Sequence, residues 1–264
     1  MTRKTFKFHR VYTLVSVVEE CLNYSSRSLI EIGWDAPNIV AKLSKPTKLT
    51  LLHEYIYAMI AVSQRDDYHH NDDLYDDDET LVKPLEDDLQ IYGISFEPVQ
   101  KFKQRLDYGD ADDERPFRDW FDVYEESFEQ LWEKSTDEVF HLLFANRMFL
   151  LKFNRTLAMY LEEGNVTLPP NVLDDKGKIK RVAMPSWVKK AVYCRDHGRC
   201  VMCQKDLTGL LSTDRHVHYD HMVPLNMWGT NDPCNIQLMC EACNLKKSGG
   251  IIATGYLYPA WWDD

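Results

Sequence analysis

Across its 264 residues the chain has no run of about 18 uninterrupted apolar residues, the length that a membrane-spanning helix needs. Its start, Met1-Thr2-Arg3-Lys4-Thr5-Phe6, lacks the apolar stretch of a secretion signal. Both absences predict a cytoplasmic protein with no membrane partner. The chain also lacks net positive charge: 31 Lys/Arg against 42 Asp/Glu give −11, so overall attraction cannot coat it onto nucleic acid. A hydrophobic share of 44% is ordinary for a soluble globular protein and excludes a wholly disordered one. What the chain does have is seven cysteines, four of them in two Cys-x-x-Cys pairs. That usage argues for metal in a reducing compartment and against a disulfide framework. Cys21, Cys194 and Cys234 are left over and read as small buried hydrophobes, with Cys194 and Cys234 close in sequence to the pairs.

The negative charge is unevenly spread. Residues 165–264 carry 12 Lys/Arg against 10 Asp/Glu, a net of +2, which leaves −13 on residues 1–164. Attraction to phosphate depends on the local field, so the near-neutral back part can bind nucleic acid through local Lys/Arg clusters.

Val11 to Tyr24 repeats Val11, Leu14, Val15, Val18, Cys21 and Leu22 at helical spacing, and Leu49 to Val62 is apolar round most of its circumference, which predicts a buried central helix. Between them, residues 25–47 read as a loop with a short helical turn near Ile39 to Leu43. Leu81 to Tyr92 and Pro98 to Leu106 are predicted as shorter helices split by Gly93. After Pro116, the residues Phe117, Trp120, Phe121, Tyr124, Phe128, Leu131 and Trp132 recur at three and four. Such a stripe suits a core better than a platform for stacking bases. Thr136 is the expected N-cap of the next and longest helix, which runs to Gly164. His53 and His141, in apolar helical surroundings, read as hydrogen-bonded core histidines.

Asp66 to Glu79, with eight carboxylates around His69 and His70, reads as a solvated acidic loop, or as a surface that mimics DNA or docks a basic partner. Asp107 to Glu114 is a second acidic turn. Residues 164–185 hold Gly164, Pro169-Pro170, Gly177 and Pro185 with Lys176, Lys178, Lys180 and Arg181 interspersed. They read as a linker whose basic residues either stay solvated or touch phosphates. A helix is expected from Pro185 to Tyr193. The tail, Ile251 to Trp262, is aromatic and apolar enough to require packing on its own domain or on a partner.

Cys200-x-x-Cys203 and Cys240-x-x-Cys243 offer the four soft ligands of a structural zinc site. Four thiolates leave no position for water, so such a zinc holds the fold and does no chemistry. The 36 residues between the pairs must carry structure of their own, a hairpin and part of a helix. Within them, Asp220-His221 lies among Tyr219, Met222 and Val223, a short strand that sends the two side chains to opposite faces. His216-x-His218 could chelate, but with four cysteines at hand it reads as lining a groove or exposed, as does His197.

Taken in order, Arg195-Asp196, Cys200-x-x-Cys203, Asp220-His221-x-x-Pro224, Gly229-Thr230-Asn231-Asp232, Asn235 and Cys240-x-x-Cys243-Asn244-x-x-Lys247 resemble the HNH endonucleases, whose core is a ββα-metal fold. The resemblance spans Trp187 to Gly250, about a quarter of the chain. Together with the helical periodicity and charge of the front part and the Pro/Gly/Lys composition after it, this predicts an α+β protein: a mostly helical, acidic domain at 1–164 for regulation or partner binding, a linker at 165–185, and a small zinc-stabilised nuclease domain at 186–264. The resemblance further implies that His221 is the general base, that Asp220 and Asn244 hold one Mg²⁺ or Mn²⁺, and that Asn235 orients the loop and the histidine. Asn244 stands where the family name calls for His, and Trp228 where the family often has Gly. Lys246, Lys247 and Arg195 are the expected phosphate contacts. The implied reaction is phosphodiester hydrolysis in nucleic acid, DNA rather than RNA, leaving a 5′-phosphate and a 3′-hydroxyl. Free-standing members with an unrelated helical domain often serve restriction or anti-phage defence. Two other readings stay open: a zinc-stapled binding module without catalysis, and a nuclease subunit active only in a complex docked through the acidic domain.

Overall fold

The computed structural model describes residues 5–24, 29, 37–69, 78–106, 115–210 and 217–258. The acidic runs at 66–79 and 107–114, His216 and the tail beyond residue 258 lie largely or wholly outside them. The described residues form ten α-helices and one two-stranded antiparallel sheet, an α+β architecture. In chain order these are α1 (Val11–Tyr24), α2 (Pro37–Ser44), α3 (Leu51–His69), α4 (Asp78–Ile91), α5 (Val99–Arg105), α6 (Arg115–Val123), α7 (Glu125–Ala145), α8 (Arg147–Glu162), α9 (Ser186–Arg195), β1 (Val217–His221), β2 (Ile236–Cys240) and α10 (Glu241–Lys247). Two compact units result, residues 1–18 with 56–140, and residues 19–55 with 141–264.

In the first unit the aromatic stripe of α6 and α7 is core. Trp120, Phe128 and Trp132 are fully buried, Phe121 and Phe128 stack with centroids 4.3 Å apart, and both indole N–H groups find acceptors, on Glu97 and Gln64. The helix break falls elsewhere than expected. Thr136 lies buried inside α7, and the chain breaks at Asn146, whose side chain accepts from the Phe149 N–H to cap α8. Glu138, two residues on, is also mid-helix; its carboxylate takes the N–H groups of Lys7 and Phe8 and the Tyr92 hydroxyl. His141 is exposed rather than buried.

The second unit contains the sheet. His53 sits three residues after Thr50 at the start of α3. Its ring Nδ1 accepts from the Thr50 N–H at 3.0 Å, and the Thr50 hydroxyl accepts from the His53 N–H at 3.4 Å, a capping box with histidine in the place of glutamate. Asp232 adds a buried carboxylate at the same helix end, accepting from the Leu51 N–H at 2.8 Å, where the helix dipole favours negative charge. On α8, Asn154 donates to the Cys234 carbonyl. The backbone of the tail is held on its own unit near Gly255, whereas the side chains of Ile251, Tyr256, Leu257 and Tyr258 are exposed. Arg147 holds the carbonyls of Gly255 and Leu257 and lies 4.1 Å from the Tyr258 ring, and a Cβ at Gly255 would come within 1.6 Å of the Val201 carbonyl oxygen.

Candidate functional site

The four cysteine sulfurs of residues 200, 203, 240 and 243 lie within 4.8 Å of one another, and those of Cys203 and Cys240 are 3.8 Å apart. A tetrahedron with Zn–S bonds of about 2.3 Å has edges of about 3.8 Å, so the cluster fits zinc. Cys194 is exposed, and Cys234 is buried against the Thr50 hydroxyl; neither joins the four. Around the cluster Val188, Val192, Val201, Leu207, Ile236, Leu238 and Met239 form the local core.

Arg195 belongs to this scaffold. Its guanidinium pairs with Asp196 at 2.9 Å, donates to the Ile236 carbonyl and is covered by the Phe144 ring; the side chain is 1% exposed. Asp196 also accepts from the Leu238 N–H, tying the end of α9 to β2. Arg195 is therefore not a phosphate contact, because its guanidinium is buried and spent on Asp196 and the Ile236 carbonyl.

Strand β1 pairs antiparallel with β2, Asp220 opposite Gln237 and His221 opposite Ile236. Alternation separates its side chains as a pleated strand must. On one face Asp220 meets α10: its Oδ2 lies 2.8 Å from the Lys247 ammonium, and His218, two residues earlier, has Nδ1 3.4 Å from the Asn244 amide nitrogen. Lys247 also donates to the His221 carbonyl and is 2% exposed, so it braces this face rather than reaching out to a ligand. Lys246, one position earlier, is exposed. Gln237 donates to the Ala253 carbonyl and stands 3.4 Å from Asp220.

Last in the strand, His221 lines a pocket of about 270 Å³ with Arg181, Lys189, Tyr219 and Asn231, and His218 reaches its rim from the α10 side. Only 3% of His221 is exposed. Burial first, and then the Arg181 guanidinium, push its imidazole down to about 4, against the opposing pull of Asp220. The ring is thus neutral around pH 7. Neither ring nitrogen has a partner at good hydrogen-bond geometry, although the Asn231 amide stands close enough to favour the charged form slightly.

Residues 222–235 connect the strands as a mostly buried loop, whose backbone groups must find partners inside the protein. Asn235, fully buried, supplies three: its Oδ1 accepts from the Val223 N–H, and its Nδ2 donates to the carbonyls of Val223 and Thr230, all at 2.9 Å. Its own carbonyl accepts from the Met222 N–H. Trp228 in this loop has φ +63°, a left-handed conformation that glycine adopts without strain, and Lys178 caps its ring at 3.9 Å. The next residue must be glycine, since a Cβ at Gly229 would lie 1.9 Å from the Val223 carbonyl oxygen.

The motif letters give no sign of Arg181 and Lys189, whose only signal in the sequence is the basic character of residues 176–190; Asn231 belongs to the Gly229-Thr230-Asn231-Asp232 element of the resemblance, which gave it no role of its own. Among the described residues no helix is long and apolar enough to cross a membrane. The family model for HNH endonuclease matches residues 200–250. No curated protein and no solved structure matches the chain. The zinc-fitting cysteines, Asp220-His221, Asn235 and Asn244 all fall within the matched segment, and the chain accordingly carries an HNH endonuclease domain.

Proposed function

We propose that the chain is a metal-dependent endonuclease that hydrolyses phosphodiester bonds with His221 as the general base. The observation that carries this reading is the placement of His221: within the segment that matches the HNH family, its imidazole lines a pocket with Arg181, Lys189 and Asn231. An imidazole so placed can accept a proton from a water held in that pocket.

Asp220 and His221 leave β1 on opposite faces, so a phosphate must lie across the end of the strand to meet both. A water there gives its proton to a ring nitrogen of His221 as its oxygen attacks phosphorus. The bond from phosphorus to the 3′ oxygen breaks, leaving a 5′-phosphate and a 3′ oxygen that takes a proton from solvent. Asp220 and Asn244 are hard oxygen donors brought to the α10 side of the sheet, and they would hold Mg²⁺ or Mn²⁺. Bound there, the ion supplies neutralisation of the charge that develops on the phosphate and the leaving oxygen. Asn235 keeps the loop after His221 in place, and Lys246 offers an exposed charge for a neighbouring phosphate.

DNA is the proposed substrate ahead of RNA, in the cytoplasm and in an anti-phage or restriction setting. The acidic residues 1–164, net −13, are proposed as the regulatory part that docks a basic protein partner. The test is incubation of the purified chain with plasmid, linear and single-stranded DNA and with RNA, in Mg²⁺ or Mn²⁺. His221→Ala should keep its zinc and its fold and lose cleavage by roughly 10²-fold or more. No His221-dependent cutting of any substrate would overturn the reading.

A further inference from the structure

Arg181 lies outside the segment that matches the nuclease family, yet it lines the same pocket as His221. The chain before it is pinned, although its composition reads as a linker. Asp174 Oδ1 accepts from the N–H groups of Lys176 and Lys178, Leu173 bridges to Ile179, and the Lys180 N–H donates to the Val172 carbonyl at 3.0 Å. Ile179 is buried as a plug. Asn231 then donates to the Lys180 carbonyl at 2.7 Å and to the Ser44 carbonyl at 3.0 Å, from the loop that Asn235 fixes. Arg181 is therefore presented from a built position.

Its guanidinium is exposed and has no hydrogen bond or ion pair among the described residues. Four other arginines are paired, by contrast: Arg10 with Asp88, Arg65 with Glu125, Arg105 with Glu97 and Arg195 with Asp196. In a chain with 42 carboxylates, an unpaired guanidinium beside a buried imidazole contributes nothing to the fold that these contacts reveal. Its planar fork of donors is left facing the pocket.

We propose that Arg181 grips the non-bridging oxygens of the scissile phosphodiester and presents its phosphorus to the water that His221 activates. The proposal rests on the nuclease reading above. A guanidinium matches two phosphate oxygens at once, and held against a partly buried site it stabilises the negative charge of the transition state. Lys189, exposed at the pocket wall with its ammonium 6.0 Å from the Tyr219 ring, takes an adjacent phosphate and adds affinity only.

Two measurements test this. With His221→Ala as background, binding of a short DNA duplex is followed across salt concentrations; adding Arg181→Ala should reduce the slope of log affinity against log salt by about 1, and Arg181→Lys should keep it. In the active chain, Arg181→Ala should lower kcat at saturating DNA by about 10²-fold, partly restored by Arg181→Lys, whereas Lys189→Ala should raise KM and leave kcat within a few-fold. Zinc content and Tm should stay at wild-type values in all three. Cutting by wild type with unchanged slope and kcat in Arg181→Ala, or with a change in KM alone, overturns the role of Arg181. A wild type that binds DNA but cuts nothing overturns the nuclease reading, and the scissile assignment with it.

Discussion

Replacing Asn235 by alanine would leave the Val223 N–H and the carbonyls of Val223 and Thr230 buried without the partners they now have. Such loss costs about 2–4 kcal/mol, so Asn235→Ala should lower the urea midpoint clearly and should weaken cleavage through the displaced loop. An unchanged midpoint would mean that water replaces the amide, which the full burial of the site opposes. Lys247 invites a different experiment. An ammonium 2.8 Å from Asp220 repels any divalent cation that shares the carboxylate. Lys247→Met should therefore bind Mn²⁺ more tightly, on the order of tenfold, in a titration of free Mn²⁺ with the His221→Ala chain. Equal or weaker binding would show that the lysine serves the cation by bracing Asp220. These single positions mark how far residue identities could be read. Asn235 was legible only through the motif it shares with the HNH endonucleases; that a buried loop needs one amide with both donor and acceptor gives the physical reason. Arg195 was not, because a guanidinium near a motif has the same letter whether it faces solvent or the adjacent Asp196. The neighbour that neutralises it was printed beside it, but burial alone decides between the two.

At the scale of elements, the two Cys-x-x-Cys turns draw together pieces that are too short to stand alone. Strands β1 and β2 have five residues each and α10 has seven. An isolated two-stranded ribbon is marginal in water, and a helix of two turns is too short to nucleate itself. Cys243→Ser should thus lose zinc and melt β1, β2 and α10 together, with little change in α4 to α7. The readouts are zinc content, a small fall in helical circular dichroism and a large loss of hydrogen-exchange protection at residues 217–247. A variant that keeps strand protection without zinc would show that the apolar cluster around Val188, Val201 and Leu238 suffices. The same turns were the most legible elements of the chain, since ligand spacing leaves little choice. Helix ends were less so. Thr136-Asp137-Glu138 has the composition of a helix start, yet Glu138 answers to Lys7, Phe8 and Tyr92 far away in sequence, and the true cap is Asn146. A cap and a tertiary acceptor use the same residue types, and only the fold assigns them.

For the whole molecule, composition changes at residue 164, but hydrogen bonds tie the HNH domain to residues on the other side of that point, within one compact unit. Asp232 caps α3 at Leu51, Asn231 meets the backbone of Leu43 and Ser44, Asn154 holds the Cys234 carbonyl, and Arg147 clamps the tail at Gly255 and Leu257. Proline, glycine and lysine between 165 and 185 read alike whether the segment hangs free or lies on a surface, and what decides is a single buried Ile179 and a carbonyl at Lys180. The consequence can be measured with a fragment of residues 165–264. Freed of α2, α8 and the start of α3, it exposes the buried carboxylate of Asp232 and the fully buried Cys234 to water, and loses at least four hydrogen bonds worth about 1 kcal/mol each. The fragment should therefore bind zinc yet unfold at a lower temperature than the full chain and self-associate, and adding residues 1–164 in trans should restore part of the lost stability. A monomeric fragment with the Tm and zinc retention of the whole would make those contacts incidental. The acidic residues would then act on the nuclease only from outside, through their charge, and the effect of 1–164 in trans on cleavage should vanish as salt screens it.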